Sequence, residues 1–334
     1  MILAATALLA PTAEANDGVF GGAGVHPIPL NSDDVRMLDE IVRLRLNPKD
    51  RAWEVSASFI FENTSSEPVT LTLGFPFPAV HSEHDEVGLP DGVTKPAQGE
   101  PLVFDFTTTV RGEPVDARRS PTGLNDDRPD LRYSFAWLWD VTFAPNERVH
   151  VVNTYRHGIS ATNFGGASAM YVLKTGSTWK DGRIGHARLS VEVPSARHVL
   201  CPPDQDLYDG SPISPEGAHI SPNHGEPGFT LHWSLANHEP SADLYVCLVD
   251  VDHYASMHFY TQIADTNPRK LRRDARADLK HTLEALRGKP FTDPALRERF
   301  ANTWWYAPDP AFSPARFTND ERALWSKLGG TSGE

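Results

Sequence analysis

The sequence predicts a mainly β protein with a small α-helical C-terminal module: tandem antiparallel β-sandwich domains followed by a three-helix unit. Three observations carry this expectation. Short segments of alternating apolar and polar residues recur between Val42 and Val249, helical spacing of apolar residues begins only after Thr266, and two loops rich in Pro and Gly divide the strands. Successive side chains of an extended chain point to opposite faces, so alternation with period 2 marks a strand with one buried face. Strands in series without helices between them argue against βαβ units, and so against a nucleotide-binding α/β fold.

The first segment is an apolar run from Ile2 to Ala10 followed by Ala13-Glu14-Ala15. It reads as a secretory signal over 1–15, and it is too short for a membrane-spanning helix. A flexible, Gly-rich leader covers 16–31. The first β domain is placed at 32–157, with alternation at Val42/Leu44/Leu46, from Trp53 to Phe61, at Val69/Leu71/Leu73/Phe75, Leu102/Phe104/Phe106, Trp137 to Phe143 and Val149/Val151/Tyr155. The second is placed at 158–252, with Leu189/Val191/Val193 and Phe229/Leu231/Trp233/Leu235, and with Leu244–Val249 as a strand buried on both faces. The division falls near Gly158 to Gly166. The loops at 76–101 and 202–228 hold five and six Pro respectively, and loops of that length in a compact domain are usually functional.

Helical chemistry follows at 266–329. Asn267-Pro268 is a helix start, Leu271, Ala275, Leu279, Leu283 and Leu286 keep helical spacing, and Gly288 suits the stop. Asp293-Pro294 opens a second helix, and Thr318-x-x-Glu321 is a capping box for a third. Trp304, Trp305, Tyr306, Phe312 and Phe317 supply most of the apolar volume of this unit.

The net charge of −13 is uneven: residues 253–334 carry +3 and the remainder −16. A field of that sign repels nucleic acid and anionic membranes, so no nucleic-acid partner is expected. Cys201 and Cys247 are the chain's two cysteines, and in an exported protein an even pair reads as one disulfide, against the plainer reading of two buried, unpaired thiols. Closing a loop of this length stabilises by about 4 kcal/mol in the chain-entropy model.

No H-E-x-x-H, G-x-S-x-G, Walker A or G-x-G-x-x-G spacing occurs. No catalytic residue is assigned, no cofactor is expected, and the chain is read as non-enzymatic. The densest set of metal-ligand types is His81, Glu83, His84 and Asp85; Asp250-x-Asp252-His253 with His258 is a second. An exposed acidic loop and an ordinary strand end are the plainer readings. Arg272 and Arg273 head a basic helix able to contact an anionic polymer, against the plainer reading of a solvated face. The Trp304-Trp305-Tyr306 cluster offers rings for stacking on sugars, against the plainer reading of core.

Two resemblances add to this. Phe291-Thr292-Asp293-Pro294, Trp305-Tyr306, Asp309-Pro310, Phe312 and Glu321-Arg322 make residues 275–328 similar to the YARHG domain, a small helical module appended to exported bacterial proteins. The positions aligned with its name-giving run read Glu284, Ala285, Leu286, Arg287, Gly288 and keep only the Ala and Gly. Residues 16–252 resemble an exported bacterial family of unknown function, through Phe61-Glu62-Asn63-Thr64, Gly74-Phe75-Pro76-Phe77-Pro78, Trp139-Asp140-Val141-Thr142-Phe143 and Leu173-Lys174-Thr175-Gly176. The resemblances imply an exported protein and transfer no reaction.

The function expected is therefore a non-catalytic cell-envelope scaffold, periplasmic or secreted, whose tail contacts an envelope protein or cell-wall polymer. One alternative is an extracytoplasmic protein binding a cell-wall sugar or peptide through the 76–101 and 202–228 loops; another is a hydrolase of unrecognised type.

Overall fold

A computed structural model describes residues 18–21, 28–77, 86–89, 93–94, 102–122, 135–161, 165–202 and 212–331. The predicted secretory signal lies outside them. The first strands are β1 (Gly18–Gly21), β2 (Ile28–Leu30), β3 (Val35–Asn47), β4 (Ala52–Asn63), β5 (Val69–Phe77), β6 (Glu86–Gly88) and β7 (Val103–Val110). They are followed by β8 (Glu113–Val115), β9 (Arg118–Pro121), β10 (Phe135–Phe143), β11 (Arg148–Ala161), β12 (Ala169–Tyr171) and β13 (Ile184–Val193). The last are β14 (His198–Leu200), β15 (Ile213–Ser214), β16 (His219–Pro222), β17 (Phe229–His238), β18 (Leu244–Val246) and β19 (Leu248–Asp250). The α-helices are α1 (Val251–His258), α2 (Arg273–Leu286), α3 (Pro294–Ala301) and α4 (Asn319–Lys327). The protein is mainly β with its helices gathered at the C-terminal end.

The largest sheet runs β16-β17-β13-β3-β4-β11-β7-β8, with β6 added on β11. It crosses the division expected near residue 158. Strand β11 continues through that point to Ala161, and β13 pairs with β3 in parallel, Leu189 opposite Val42 and Val191 opposite Leu44. Strands assigned to two sandwiches thus share one sheet. Alternation fixes which face of a strand is buried, but says nothing of its partner or direction. The five-stranded sheet β2-β1-β5-β10-β9 and the small sheet β12-β18-β15 contribute to one apolar core with it. Phe59, Phe61, Phe75, Trp139, Phe143 and Trp179 are among its fully buried members.

Two bulges interrupt the ladders of the large sheet. In β3 the register slips between Met37 and Asp39, after which Glu40 faces inward and is 0% exposed. In β7 the register slips opposite Thr154/Arg156, and Asp105 takes a φ of 55°. Beyond it Thr108 and Val110, not Thr107, are buried.

Glu40 is a carboxyl group inside the apolar core. The Tyr171 hydroxyl donates to its Oε1 at 3.0 Å, and Oε2 has no hydrogen-bond partner among the described residues. Burial pushes its pKa up to about 8, which the Tyr171 hydrogen bond only partly opposes.

The disulfide Cys201–Cys247 is formed, with a Cα–Cα distance of 5.3 Å. It ties the entrance of the 202–228 segment to the strand run β18–β19. From there the chain turns into α1, a helix the sequence pattern concealed: Asp250 ends β19 and caps α1 through the Asp252 and His253 amides. Ala255, Phe259 and Ile263 then pack with Leu283, Leu286, Phe317 and Trp325 of the tail. The three expected helices follow, the second and third with their predicted starts: Asp293 caps backbone amides, and Thr318 and Glu321 form a capping box. The first begins later than predicted, because Asn267 caps only a short 3-10 turn at Pro268–Lys270 and the chain is extended at Leu271 before α2 starts at Arg273.

A buried polar network seats the tail on the β body. Arg197, between β13 and β14, donates to the Leu286 and Ala307 carbonyls at 2.6 and 2.5 Å and pairs with Asp252 at 3.0 Å. Arg287 pairs with Glu321 at 2.7 Å, both almost fully buried, and donates to the Asp252 carbonyl and Ser256 Oγ. Gly288 has a φ of +83°, and a Cβ there would stand 2.7 Å from Arg197 Nη1, so the helix end needs glycine twice over.

Two predictions follow from these buried charges. Arg287→Ala leaves Glu321 buried without its cation and lowers stability by about 3–5 kcal/mol, readable as a fall in the urea midpoint. Glu40 acts through pH. Below pH 4.5 it is protonated in folded and unfolded chains alike; between 4.5 and about 8 only the unfolded chain releases the proton, so stability falls as pH rises. The total loss is on the order of 5 kcal/mol. Glu40→Gln flattens the profile across that window; an unchanged slope would place the carboxyl's titration elsewhere.

Candidate functional site

The outer face of the large sheet is polar because the inner face takes the apolar half of each strand. Val42, Leu44 and Leu46 point into the core, which turns Arg43 and Arg45 outward. Pairing then lines up whole rows. One row runs Thr107, Thr154, Ser56, Arg43, Ser190 across β7, β11, β4, β3 and β13. The next runs Arg156, Glu54, Arg45, Glu192. A groove of about 500 Å³ lies over these two rows, with three arginines and three carboxylates in its lining.

Three of the four charged groups of the second row have ion-pair partners, in the row or beside it. Arg45 pairs with Glu192 and, at 2.9 Å, with Glu226. Arg156 pairs with Asp105 at 2.6 Å. All are partly exposed, so each pair contributes little stability and mainly holds side chains in place. The β7 bulge re-aims Asp105 toward Arg156, a use of bulges common beside binding sites. Glu226, which pairs with Arg45, belongs to the 202–228 segment, so the described part of one predicted binding loop borders this groove; Asp105 lies in β7, beyond the other loop.

A second groove, about 420 Å³, lies between β14 and the edge strand β16. Val199, Leu200, Ile220, Pro222 and Phe229 make it largely apolar. His198 stands in it with Nδ1 2.9 Å from Ser195 Oγ. Burial pushes His198 below the usual histidine range, partly offset by Asp250 and Asp252.

The residues singled out from sequence fare differently. His81, Glu83, His84 and Asp85 lie outside the described residues. Asp250 is occupied as a helix cap, and Asp252 as a partner of Arg197 and Arg287. Among the described residues no group of three or more His, Cys, Asp and Glu is placed to hold a metal. Arg272 is exposed, precedes α2 and pairs with Asp274 at 3.4 Å; Arg273 is exposed. Trp304 packs on Tyr254 with ring centroids 4.8 Å apart, Trp305 on Phe300, and Tyr306 on Phe291 and Phe300. The Tyr306 hydroxyl donates to the Lys289 carbonyl. These half-buried rings give much of their surface to neighbours within the protein. None of the groove arginines was singled out from sequence; the available signal was Arg43 and Arg45 alternating with Val42, Leu44 and Leu46.

Comparison with known proteins adds the following. Residues 15–128 match the model of a domain of unknown function, DUF4424. No YARHG match accompanies it, so the predicted likeness of the tail to that domain is not upheld. The positions aligned with that domain's name-giving run have structural duties of their own: Arg287 and Gly288 belong to the buried network, and Glu284 accepts from Trp325 Nε1 at 3.0 Å. No curated protein matches the chain. A proposed nutrient binding protein of Legionella pneumophila subsp. pneumophila, known from a crystal structure, is 29% identical, covers 94% of this chain and 98% of its own, and superposes with a TM-score of 0.72. An M1 zinc metallopeptidase of Deinococcus radiodurans covers 66% of this chain and 43% of its own at 10% identity, with a TM-score of 0.32. That slight likeness carries no argument. No described helix is long and apolar enough to cross a membrane.

The bulge that shapes the larger groove is testable. Asp105 holds a left-handed conformation that glycine adopts without strain. Asp105→Gly is expected to be about 1 kcal/mol more stable than Asp105→Ala. Equal urea midpoints for the two would show that the bulge does not constrain this position.

Proposed function

We propose that the protein is an extracytoplasmic binding protein for a small polar nutrient, a sugar above all, held in the groove over β3, β4 and β11. The observation that carries this is the pair of registered rows, one of hydroxyls around Arg43 and one of alternating charges, forming a groove sized for a small molecule. The similarity along nearly the whole chain to a proposed nutrient binding protein supports it. Export is part of the proposal; it rests on the apolar run Ile2–Ala10 with Ala13-Glu14-Ala15, and the disulfide suits an oxidising compartment. The role is binding without turnover.

A scaffold role with the tail as contact module has less support, because the tail's aromatic rings pack against one another and against α1. A peptide is the second reading of the ligand, favoured by the apolar groove between β14 and β16. Thermal shift with cell-wall sugars and with short peptides separates the two. A ligand at 100 times its Kd adds about 2.7 kcal/mol to the folded state and raises Tm by several degrees. Sugar binding is expected to be lost in Glu54→Ala and kept in Ile220→Asp. The reverse pattern with a peptide moves the site to the second groove, and no shift with either class sinks the binding proposal.

A further inference from the structure

The larger groove holds three arginines, and they are not equivalent. Arg45 faces Glu54 and Glu192 at its own register and reaches Glu226 as well. Arg156 faces Glu54 and pairs with Asp105. Arg43 faces Ser56 on one side and Ser190 on the other. It is exposed, and no hydrogen bond or ion pair engages its guanidinium among the described residues. Glu192 and Asp105, which would neutralise it, are committed to Arg45 and Arg156, and Glu54, one row away, accepts from Asn47 Nδ2.

We propose that Arg43 receives a carboxylate of the bound ligand, and that the ligand class is an acidic sugar, such as a uronic acid unit. This rests on the reading of the groove as a sugar site. The guanidinium is a planar fork that accepts a carboxylate through two parallel hydrogen bonds, a geometry a lysine does not reproduce. Around it stand hydroxyls: Thr107 and Thr154, bonded to each other at 2.7 Å, then Ser56 and Ser190. Hydroxyls both donate and accept, as sugar hydroxyls require. Glu54 in the adjacent row supplies a strong acceptor for a sugar hydroxyl.

The same lining argues against a polyanion. Three carboxylates border the groove, and the chain carries −13 overall, so a phosphate-rich polymer meets repulsion at every position but one. A single carboxylate on a neutral, hydroxylated body fits that pattern. The groove's size suits one or two sugar rings.

The test is calorimetric titration of the full chain, at physiological salt, with a glucuronic-acid-containing disaccharide, its neutral glucose counterpart and glucose 6-phosphate. The acidic disaccharide is expected to bind at least 10-fold tighter than the neutral one. Arg43→Ala should remove that preference, weakening the acid by about 10- to 100-fold and the neutral sugar by much less, so that the two bind alike. Arg43→Lys should recover only part of it. Since Arg43 is exposed, an unchanged Tm in each variant confirms that folding is not what is being read. Equal binding of acid and neutral sugar overturns the role of Arg43 but leaves the groove as a sugar site. Preference for the phosphate, or a preference for the acid that survives Arg43→Ala, overturns the carboxylate assignment. If none of the three binds, while other sugars or peptides shift the melting temperature, the acidic-sugar class falls alone; if nothing binds at all, both readings fall.

Discussion

The parallel seam between β3 and β13 is the contact on which the rest of the structure depends. It pairs residues 147 apart in sequence and makes one sheet from segments that the loops at 76–101 and 202–228 would otherwise let pack separately. Its inner side places Val42 against Leu189 and Leu44 against Val191 in the common core. Its outer side places Arg43 beside Ser190 and Arg45 beside Glu192. Core and groove are thus two faces of one pairing, and a slip of one residue would exchange them.

The helical tail depends on the body in a different way. Its own core is small, and α1, which grows directly out of β19, completes it. Arg197 reaches from the β body to two tail carbonyls, while Arg287 reaches back to α1. Buried ion pairs of this kind add little net stability relative to apolar packing, but they are intolerant of partial assembly, since each group left unpaired is costly. They define where the tail sits more than how firmly it is held.

Much of the architecture was legible in the sequence. The buried faces of β4, β5, β10, β13 and β17 follow from alternation, and the caps at Asn267, Asp293 and Thr318 are local chemistry that needs no tertiary information. The disulfide followed from parity and context. Three things were not legible, each for a physical reason. The partner of β3 is set by a contact between distant segments, which alternation does not encode. The start of β3 was missed by seven residues, because a bulge near Leu38 and an inward carboxyl at Glu40 disguise the apolar rhythm. Helix α1 was hidden because Asp250 serves two elements at once, ending a strand and capping a helix. The groove escaped for a related reason: its residues are ordinary polar positions on five strands, and only the register brings them side by side.

The length of chain spanned by the seam also bears on how the molecule is reached. Hairpin β3–β4 and hairpin β16–β17 with β13 are built from nearer contacts and can close before the seam does. Loop-closure entropy makes the distant pairing a late event. Until then β3 and β13 each present an open edge with full hydrogen-bonding capacity. Those edges recognise each other by register alone, so a neighbouring copy offers the same complement as the chain's own other half. The seam that unifies the folded protein is, during assembly, the point at which two chains are most easily mistaken for one.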